Sequence, residues 1–172
     1  FWIHAETTDK LVLFGTNGRF YTIPCTKIPR GRGNGDPVRL MLELGTIDEI
    51  VDLFVHVPDR TLLVAASDGR GFLVKEDQVL AQTRSGKQVL NVPPGIEAQV
   101  CTVVPEGADS IAVVGENRKL IVFLLSELSS MARGRGVLLQ RYKDGGLSDA
   151  IVFKLSDGLS WRSGDRTRTQ ND

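Results

Sequence analysis

The chain has 172 residues, which is enough for one domain or for an array of small units with a buried core. Its 21 basic residues balance 21 acidic residues, so the net charge excludes a strong overall attraction to nucleic acid. The composition, with 41% hydrophobic and 24% charged residues, is typical of a soluble globular protein. The longest apolar runs, such as residues 120–125, have the length of a strand and are too short to cross a bilayer.

A sequence pattern recurs about every fifty residues. Each copy has an apolar strand, a polar turn and a second apolar strand. The four copies are LVLFGTNGRFY (11–21), LLVAASDGRGF (62–72), IAVVGENRKLI (111–121) and IVFKLSDGLSW (151–161). Each copy is therefore predicted to form a β-hairpin.

The turn of each hairpin has a characteristic dipeptide. The four dipeptides are Asn17-Gly18, Asp68-Gly69, Asn117-Arg118 and Asp157-Gly158. Asn-Gly and Asp-Gly favour tight turns, because both central positions are expected to take a positive φ. In the third copy we expect the asparagine to tolerate that conformation. A basic residue follows the turn in the first three copies, at Arg19, Arg70 and Lys119.

Short β-type runs lie between the hairpins, at residues 51–57, 88–92, 100–104 and 136–139. Helical signals are confined to short turns near residues 75–80 and 125–131. Evenly spaced strands that repeat with this period predict an all-β, propeller-like array of blades of about fifty residues. A β-sandwich with accidental similarity between its hairpins is the alternative.

The repeat also predicts the organisation of the chain. A partial blade is expected at residues 1–8, and repeats are expected at about 9–59, 60–109 and 110–150. A closing hairpin at 151–161 and a polar tail at 162–172 complete the prediction.

A glycine-arginine segment follows each of the first three hairpins at the same relative position. We name these segments the first box (27–39), the second box (82–88) and the third box (133–143). RGRG occurs in the first and third boxes, and the second has the degenerate form TRSGKQ. An array of repeats places equivalent loops on one edge, and arginine is a good ligand for phosphate. The boxes therefore predict a basic, DNA-binding rim formed by Lys27, Arg30, Arg32, Arg39, Arg84, Lys87, Arg133, Arg135, Arg141 and Lys143.

Charge ranks the three boxes. The third box has four basic residues and no acidic one, the first has four basic and one acidic, and the second has two basic. Each phosphate contact contributes about 0.9 to the slope of log K against log salt. Replacing Arg133 and Arg135 is therefore predicted to flatten that slope by roughly 2 and to weaken binding most. The pair Arg30 and Arg32 comes next.

The order of hairpin and box resembles the C-terminal β-pinwheel domain of the A subunits of bacterial type IIA topoisomerases. The segments that carry the resemblance are LVLFGTNGRFYTIP, KIPRGRGNGDPVRLM, TRSGKQVLNV, VVGENRKLIVF, MARGRGVLLQRYKDGGLSDA and FKLSDGLSW. Within this family the chain is more similar to the topoisomerase IV group than to gyrase. The longer glutamine-led box of gyrase is absent, since Pro29 and Ala132 precede the RGRG cores. The resemblance therefore implies bending of DNA without tight wrapping.

The resemblance implies a non-catalytic domain that grips and bends duplex DNA and helps to select DNA topology for decatenation and supercoil relaxation. The implied partners are double-stranded DNA, the ATPase B subunit of the enzyme, and the rest of its A subunit. In an ATP-dependent type II topoisomerase of this kind, the DNA-cleaving tyrosine would lie outside this sequence. ATP and Mg would also be used elsewhere, so no cofactor is expected in this domain. The implied location is cytoplasmic and nucleoid-associated, with no membrane contact.

Other chemistry has little support in the sequence. His4 and His56 have no Cys or His nearby at ligand spacing, so no metal site is predicted. Cys25 and Cys101 are far apart, which favours free thiols in a reducing compartment. No acid, base and nucleophile set is visible, so no catalytic residue is predicted. The alternatives are a propeller-like protein-interaction scaffold, for which a neutral net charge would be natural, and the C-terminal domain of the gyrase A subunit.

Overall fold

The computed structural model describes residues 3–29, 36–163 and 166–170. Its strands are β1 (Lys10–Gly15), β2 (Arg19–Pro24), β3 (Ile50–Val55), β4 (Thr61–Ala66), β5 (Arg70–Lys75), β6 (Lys87–Gln88), β7 (Ala98–Val103), β8 (Ser110–Gly115), β9 (Leu120–Leu124), β10 (Val137–Leu138), β11 (Leu147–Phe153), β12 (Leu159–Ser163) and β13 (Arg166–Gln170). Two one-turn helices, α1 (Val38–Met41) and α2 (Glu76–Val79), and 3-10 turns at Cys25–Lys27, Leu125–Glu127 and Leu155–Asp157 complete the described elements. The all-β prediction is confirmed.

Among the described residues, strands β1 to β11 form three blades, each an antiparallel sheet, and β12 and β13 form a separate pair. Blade 1 has the order β3-β1-β2-β6, blade 2 has the order β7-β4-β5-β10, and blade 3 has the order β11-β8-β9. The central strands β1, β4 and β8 are buried almost throughout. Burial on both faces explains why these strands read as continuous apolar runs rather than as alternating ones.

The fourth strand of a blade comes from the box of the following repeat. β6, at the end of the second box, pairs with β2 of blade 1, and β10, in the third box, pairs with β5 of blade 2. A sequence repeat and a blade therefore differ by one strand. We call β6 and β10 the donated strands. The sequence analysis located these segments but did not predict their pairing.

The hairpin turns use one positive φ rather than two. In blade 1 the Gly18 N–H donates to the Gly15 carbonyl oxygen at 2.9 Å, and Gly18 has φ 75°. Asn17 has no positive φ; its Oδ1 accepts a hydrogen bond from the Arg19 N–H at 3.0 Å. The prediction of positive φ at both positions is therefore wrong, since this is a type I turn followed by one left-handed residue.

The third turn follows the same rule. Arg118, and not Asn117, has the positive φ of 62°. Asn117 Oδ1 accepts from the Lys119 N–H at 3.1 Å. The asparagine is therefore favoured because its side chain accepts this hydrogen bond, and the prediction that it takes the left-handed conformation is wrong.

Two apolar clusters hold the blades together. One joins residues of blades 1 and 2, including Phe14, Phe20 and Phe72, and its Phe14 and Phe20 rings stack at 4.4 Å. The other joins blades 2 and 3, including Leu63 and Ile111. Successive blades thus bury their facing surfaces against each other, as expected of a propeller-like array.

A buried ion-pair network ties the link between blades 1 and 2. The Glu76 carboxylate is fully buried and accepts from Arg60 Nε at 2.7 Å, and it lies 2.9 Å from His56 Nδ1. The Val57 N–H also donates to it at 2.8 Å. The carboxylate therefore organises the link from β3 to β4.

The predicted closing hairpin at residues 151–161 is wrong. Residues 151–153 are the end of β11, which pairs with β8 along its length. After the 3-10 turn, β12 pairs with β13 instead. The Leu155 N–H donates to Asp109 Oδ1 at 2.8 Å. This hydrogen bond holds the chain that follows β11 near the start of β8, so it does not fold back onto β11. The third repeat thus runs past residue 150, and the predicted polar tail contains most of a hairpin.

Candidate nucleic-acid interface

The second box lies against the turn of blade 1. The Leu90 N–H, just after the box, donates to the Gly18 carbonyl oxygen at 3.1 Å, and Arg19 Nη1 donates to the Ser85 carbonyl oxygen at 3.1 Å. A Cβ on Gly18 would lie 2.0 Å from the Leu90 carbonyl oxygen, so only glycine allows this approach. The turn and the box therefore form one continuous surface.

The third box lies against the turn of blade 2 in the same way. The Leu139 N–H donates to the Gly69 carbonyl oxygen at 2.8 Å, and Arg70 Nη1 donates to the Gly136 carbonyl oxygen at 3.4 Å. Arg135 Nη2 forms an ion pair with Asp68 Oδ2 at 2.9 Å. The two boxes thus occupy equivalent places on successive blades.

Arg19 and Arg70 belong to this surface, although the sequence analysis did not assign them to the site. Each follows a hairpin turn and hydrogen-bonds to a backbone carbonyl of the box of the next repeat. The sequence signal was present, because a basic residue follows the turn in the first three repeats. The sequence did not show that the next box crosses that turn.

The first box is described only in part. Arg30 and Arg32 lie outside the described residues, so their predicted role stays a prediction. Lys27 is exposed at the end of a 3-10 turn. Arg39 is exposed on α1, and its guanidinium donates to the carbonyl oxygens of Gly45 at 2.8 Å and Asp48 at 2.6 Å.

In the second box both predicted cations are exposed and contact the backbone. Arg84 Nη2 donates to the Leu40 carbonyl oxygen, and Lys87 Nζ donates to that of Gln78, both at 2.5 Å. Lys27 and Arg84 line one cleft of about 580 Å³ together with Lys10, and none of the described residues that line it is acidic. The structure therefore adds Lys10 to the basic residues of this region.

Three of the four predicted cations of the third box have no polar partner in the described part of the chain. Arg133, Arg141 and Lys143 are exposed, and none has a hydrogen bond or ion pair to another residue in the described part of the chain. Arg135 differs because it is paired with Asp68. The prediction that this box is the most basic thus needs one amendment, since an acidic side chain from blade 2 reaches it.

Tyr142 packs between two turns. A Cβ on Gly115 would lie 2.4 Å from the Tyr142 ring, and one on Gly69 would lie 2.6 Å from it. Its hydroxyl is buried without a hydrogen-bond partner among the described residues, and burial raises the pKa of Tyr142. The ring therefore fixes the chain after the third box against blades 2 and 3.

Two other kinds of feature bear on function. Within residues 3–29, 36–163 and 166–170, no group of three or more His, Cys, Asp or Glu side chains is arranged to hold a metal ion. No helix in the same ranges has the length and apolar character that crossing a membrane requires.

The geometry defines a class of protein. Successive four-stranded blades, completed by strands from the next repeat and bearing basic boxes at their turns, are those of a β-propeller of the pinwheel type. The family model described as "DNA gyrase C-terminal domain, beta-propeller" matches residues 9–56, 60–98 and 109–153. The chain belongs to this family.

Curated relatives show which proteins of this family the chain is similar to. The chain is 41% identical over its whole length to the A subunit of DNA topoisomerase 4 from Rickettsia bellii, of which it covers 23%. It is 45% identical over 94% of its length to the protein of the same name from Caulobacter vibrioides, of which it covers 21%. The chain thus spans less than a quarter of the length of these relatives.

Solved structures agree on the fold. The Escherichia coli ParC C-terminal domain matches with a TM-score of 0.84 at 21% identity, over 96% of this chain and 70% of that one. A gyrase A C-terminal domain matches with a TM-score of 0.65 at 16% identity, over 91% and 51%. The predicted resemblance to the C-terminal domain of the topoisomerase IV A subunit is confirmed.

Proposed function

We propose that this domain grips and bends duplex DNA along the edge formed by its boxes and turns, and so helps a topoisomerase IV to select DNA topology for decatenation and supercoil relaxation. One observation carries the proposal. The second and third boxes meet the preceding turn through equivalent hydrogen bonds, so basic side chains recur at the same place on successive blades. Such recurrence suits a polymer with regularly spaced phosphates.

The chemistry of the boxes favours the DNA backbone over the bases. Arginines on glycine-rich loops suit phosphate oxygens, which fix position without reading sequence. The described helices α1 and α2 have four residues each, and neither offers a recognition helix to the major groove. We therefore expect weak-to-moderate duplex binding with little base preference.

The placement of the boxes favours bending. Boxes on successive blades are rotated relative to one another about the propeller axis, so a straight duplex cannot touch all of them. Smooth bending of a short duplex costs about 1–6 kcal/mol, which a few phosphate contacts offset only in part. A bend without a stable full wrap follows.

The proposal extends to the longer protein. The domain would work beside the remainder of an A subunit that carries the DNA-cleaving tyrosine, and beside the ATPase B subunit. ATP and Mg would be used in those parts of an ATP-dependent type II topoisomerase. A cytoplasmic, nucleoid-associated location follows from a chromosomal DNA substrate.

The test is the affinity of the 172-residue chain for a duplex, measured across a salt series. Affinity should fall steeply with salt. Replacing Arg133 and Arg135 by Ala should flatten the slope by about 1–2 and weaken binding most, ahead of Arg30 with Arg32 and of Arg84 with Lys87. Thermal melting of each variant is the control. If neutralising the first and third boxes changes neither affinity nor slope, the domain is a protein-interaction scaffold instead.

Two further measurements test sequence preference and shape. Unrelated duplexes of equal length should compete equally, and a large preference for one sequence would contradict phosphate recognition. Relaxation of a plasmid in the presence of the domain should change the linking number little. A large handed shift would indicate the wrapping of a gyrase-type domain.

A further inference from the structure

We infer that Asp68 sets the DNA affinity of the third box by holding Arg135 in an ion pair, so that the domain binds DNA less tightly than its basic residues would allow. The inference rests on the proposed function. It concerns one pair of side chains that are distant in sequence: Arg135 Nη2 lies 2.9 Å from Asp68 Oδ2.

The two oxygens of Asp68 have separate tasks. Oδ1 accepts a hydrogen bond from the Arg70 N–H at 3.2 Å, which is the hydrogen bond that shapes the hairpin turn. Oδ2 pairs with Arg135. The turn therefore needs only one side-chain oxygen, and the negative charge of Asp68 is not required for it.

The equivalent turns support this separation. At the same position blade 1 has Asn17 and blade 3 has Asn117, and each uses Oδ1 to accept from the residue two positions later, at 3.0 and 3.1 Å. A neutral amide thus makes the same turn. Among the three turns, only that of blade 2 presents a carboxylate to a box arginine in the described structure.

The pair acts on a cation that DNA would otherwise use. The Arg135 side chain is 50% exposed and that of Asp68 is 17% exposed, so the guanidinium lies where a phosphate could reach it. A phosphate must compete with the carboxylate for the same N–H groups, and the carboxylate also repels the phosphate. Arg133, Arg141 and Lys143 have no such competitor among the described residues.

An ion pair can also strengthen DNA binding, and the direction of the change in affinity distinguishes the two effects. An ion pair can fix an arginine in the orientation that a phosphate needs, and then removing the carboxylate weakens binding. Asp68→Asn distinguishes the two cases, because it keeps the turn hydrogen bond and removes only the charge. Competition predicts tighter binding, and orientation predicts weaker binding.

The experiment measures duplex affinity of the 172-residue chain across a salt series for the unaltered protein, Asp68→Asn, Arg135→Gln and the double variant. Asp68→Asn should tighten binding several-fold at low salt and steepen the salt slope by up to about 0.9, one phosphate contact. In the Arg135→Gln background the same change should have a clearly smaller effect, because the arginine that it releases is absent.

A matched variant controls for the loss of one negative charge. Asp144→Asn makes the same charge change at an exposed position directly after the third box and outside any ion pair in the described structure. It should tighten binding less than Asp68→Asn. Thermal melting should show all variants folded.

The outcomes separate the inference from the proposed function. Salt-dependent binding by the unaltered chain, with Asp68→Asn equal to or weaker than it, overturns the inference and leaves the proposed function intact. Equal tightening by Asp68→Asn and Asp144→Asn also overturns the inference, because general charge then accounts for the effect. Absence of duplex binding by both the unaltered chain and Asp68→Asn overturns both.

Discussion

Blades 2 and 3 begin with the same hairpin, but the second strand of that hairpin is covered in one and open in the other. In blade 2, β5 pairs with the donated strand β10, and Phe72 and Val74 are fully buried. In blade 3, β9 pairs only with β8 among the described strands. Ile121, the equivalent of Phe72, is 41% exposed, and Phe123, the equivalent of Val74, is only partly buried. The hairpin is thus half of a blade, and the following repeat supplies what covers it.

The hairpin β12–β13 does not replace a donated strand. Leu159 and Trp161 line an apolar cleft of about 460 Å³ with Leu120 and Val122 of β9, without pairing to that strand. Trp161 remains 45% exposed. One molecule therefore contains both a covered and an open hairpin. Substitutions at equivalent positions of the two hairpins can be compared directly.

The largest difference is expected at the residue of the second hairpin strand that pairs with Val64 of β4 in blade 2 (Phe72) and with Val113 of β8 in blade 3 (Ile121). Phe72→Ala should lower the free energy of unfolding by about 3–5 kcal/mol, because it leaves a cavity between blades 1 and 2. Ile121 has the same place in blade 3 but is 41% exposed, so Ile121→Ala should cost less than about 1 kcal/mol. Urea unfolding measures both. Equal losses would show that β9 is covered in solution.

The residue that follows the hairpin gives a second comparison. Glu76→Ala should cost about 3–5 kcal/mol, because Arg60 and His56 lose the buried carboxylate that pairs with them. Leu125 has the same place in blade 3 and is half-buried, so Leu125→Ala should cost less than about 2 kcal/mol. Chemical denaturation tests the order, and a smaller loss for Glu76→Ala would contradict the structural role of the network.

The left-handed residue of each hairpin turn gives a third comparison between blades 2 and 3. Gly69 has φ 82°, and a Cβ there would lie 2.8 Å from the Gln140 carbonyl oxygen, so Gly69→Ala should cost about 1–3 kcal/mol. Arg118 has the same place in blade 3, where no described strand crosses it. Arg118→Gly should therefore change stability by less than about 1 kcal/mol. Melting temperatures measure both, and a tolerated alanine at Gly69 would mean that the third box is free to move away.

The smallest expected effect on stability concerns a carboxylate on β3, the edge strand of blade 1. Asp52 of β3 is half-buried, and burial raises the pKa of its carboxyl group. The folded chain then holds this proton more tightly than the unfolded chain, so stability falls as the pH rises through the interval between the two pKa values. Asp52→Asn should raise the melting temperature at pH 7 by about 1–3 °C.

Asp149 provides the control for Asp52. It has the equivalent place on β11, is exposed, and like Asp52 accepts a hydrogen bond from the next residue at 2.8 Å. Because Asp149 is exposed, Asp149→Asn should leave the melting temperature nearly unchanged at pH 7. The gain from Asp52→Asn should shrink below about pH 4, where the unfolded carboxyl is also protonated. A gain that is constant with pH would exclude titration as its cause.

The sequence predicted the parts of the fold that depend on neighbouring residues. The first three hairpins follow from apolar runs on both sides of an Asn or Asp turn. The fourth strands of blades 1 and 2 could not be predicted, because β6 and β10 have two residues each and show no periodicity. The fourth hairpin was wrong for a related reason, since Asp157-Gly158 has the same turn signal whether or not the flanking segments pair.

The same limit applies to the candidate interface. The boxes were visible as repeated glycine and arginine, but the partner of Arg135 is 67 residues away in sequence. Nothing in the local pattern distinguishes Arg135, which is paired, from Arg133, which has no partner in the described structure. Lys10 was missed for the same reason, because it joins the cleft with Lys27 and Arg84 only through the fold.

The donated strands impose an order on folding while the chain is being synthesised. Gln88 pairs with Arg19, and its amide also donates to the Asn17 carbonyl oxygen across 71 residues of sequence. Blade 1 therefore cannot be completed until the second box has left the ribosome, which takes several seconds at about 5–20 residues per second. During that interval the free edge of β2 is exposed to other nascent chains. Each repeat in turn protects the one made before it, so a pause in translation is most hazardous between a hairpin and the next box.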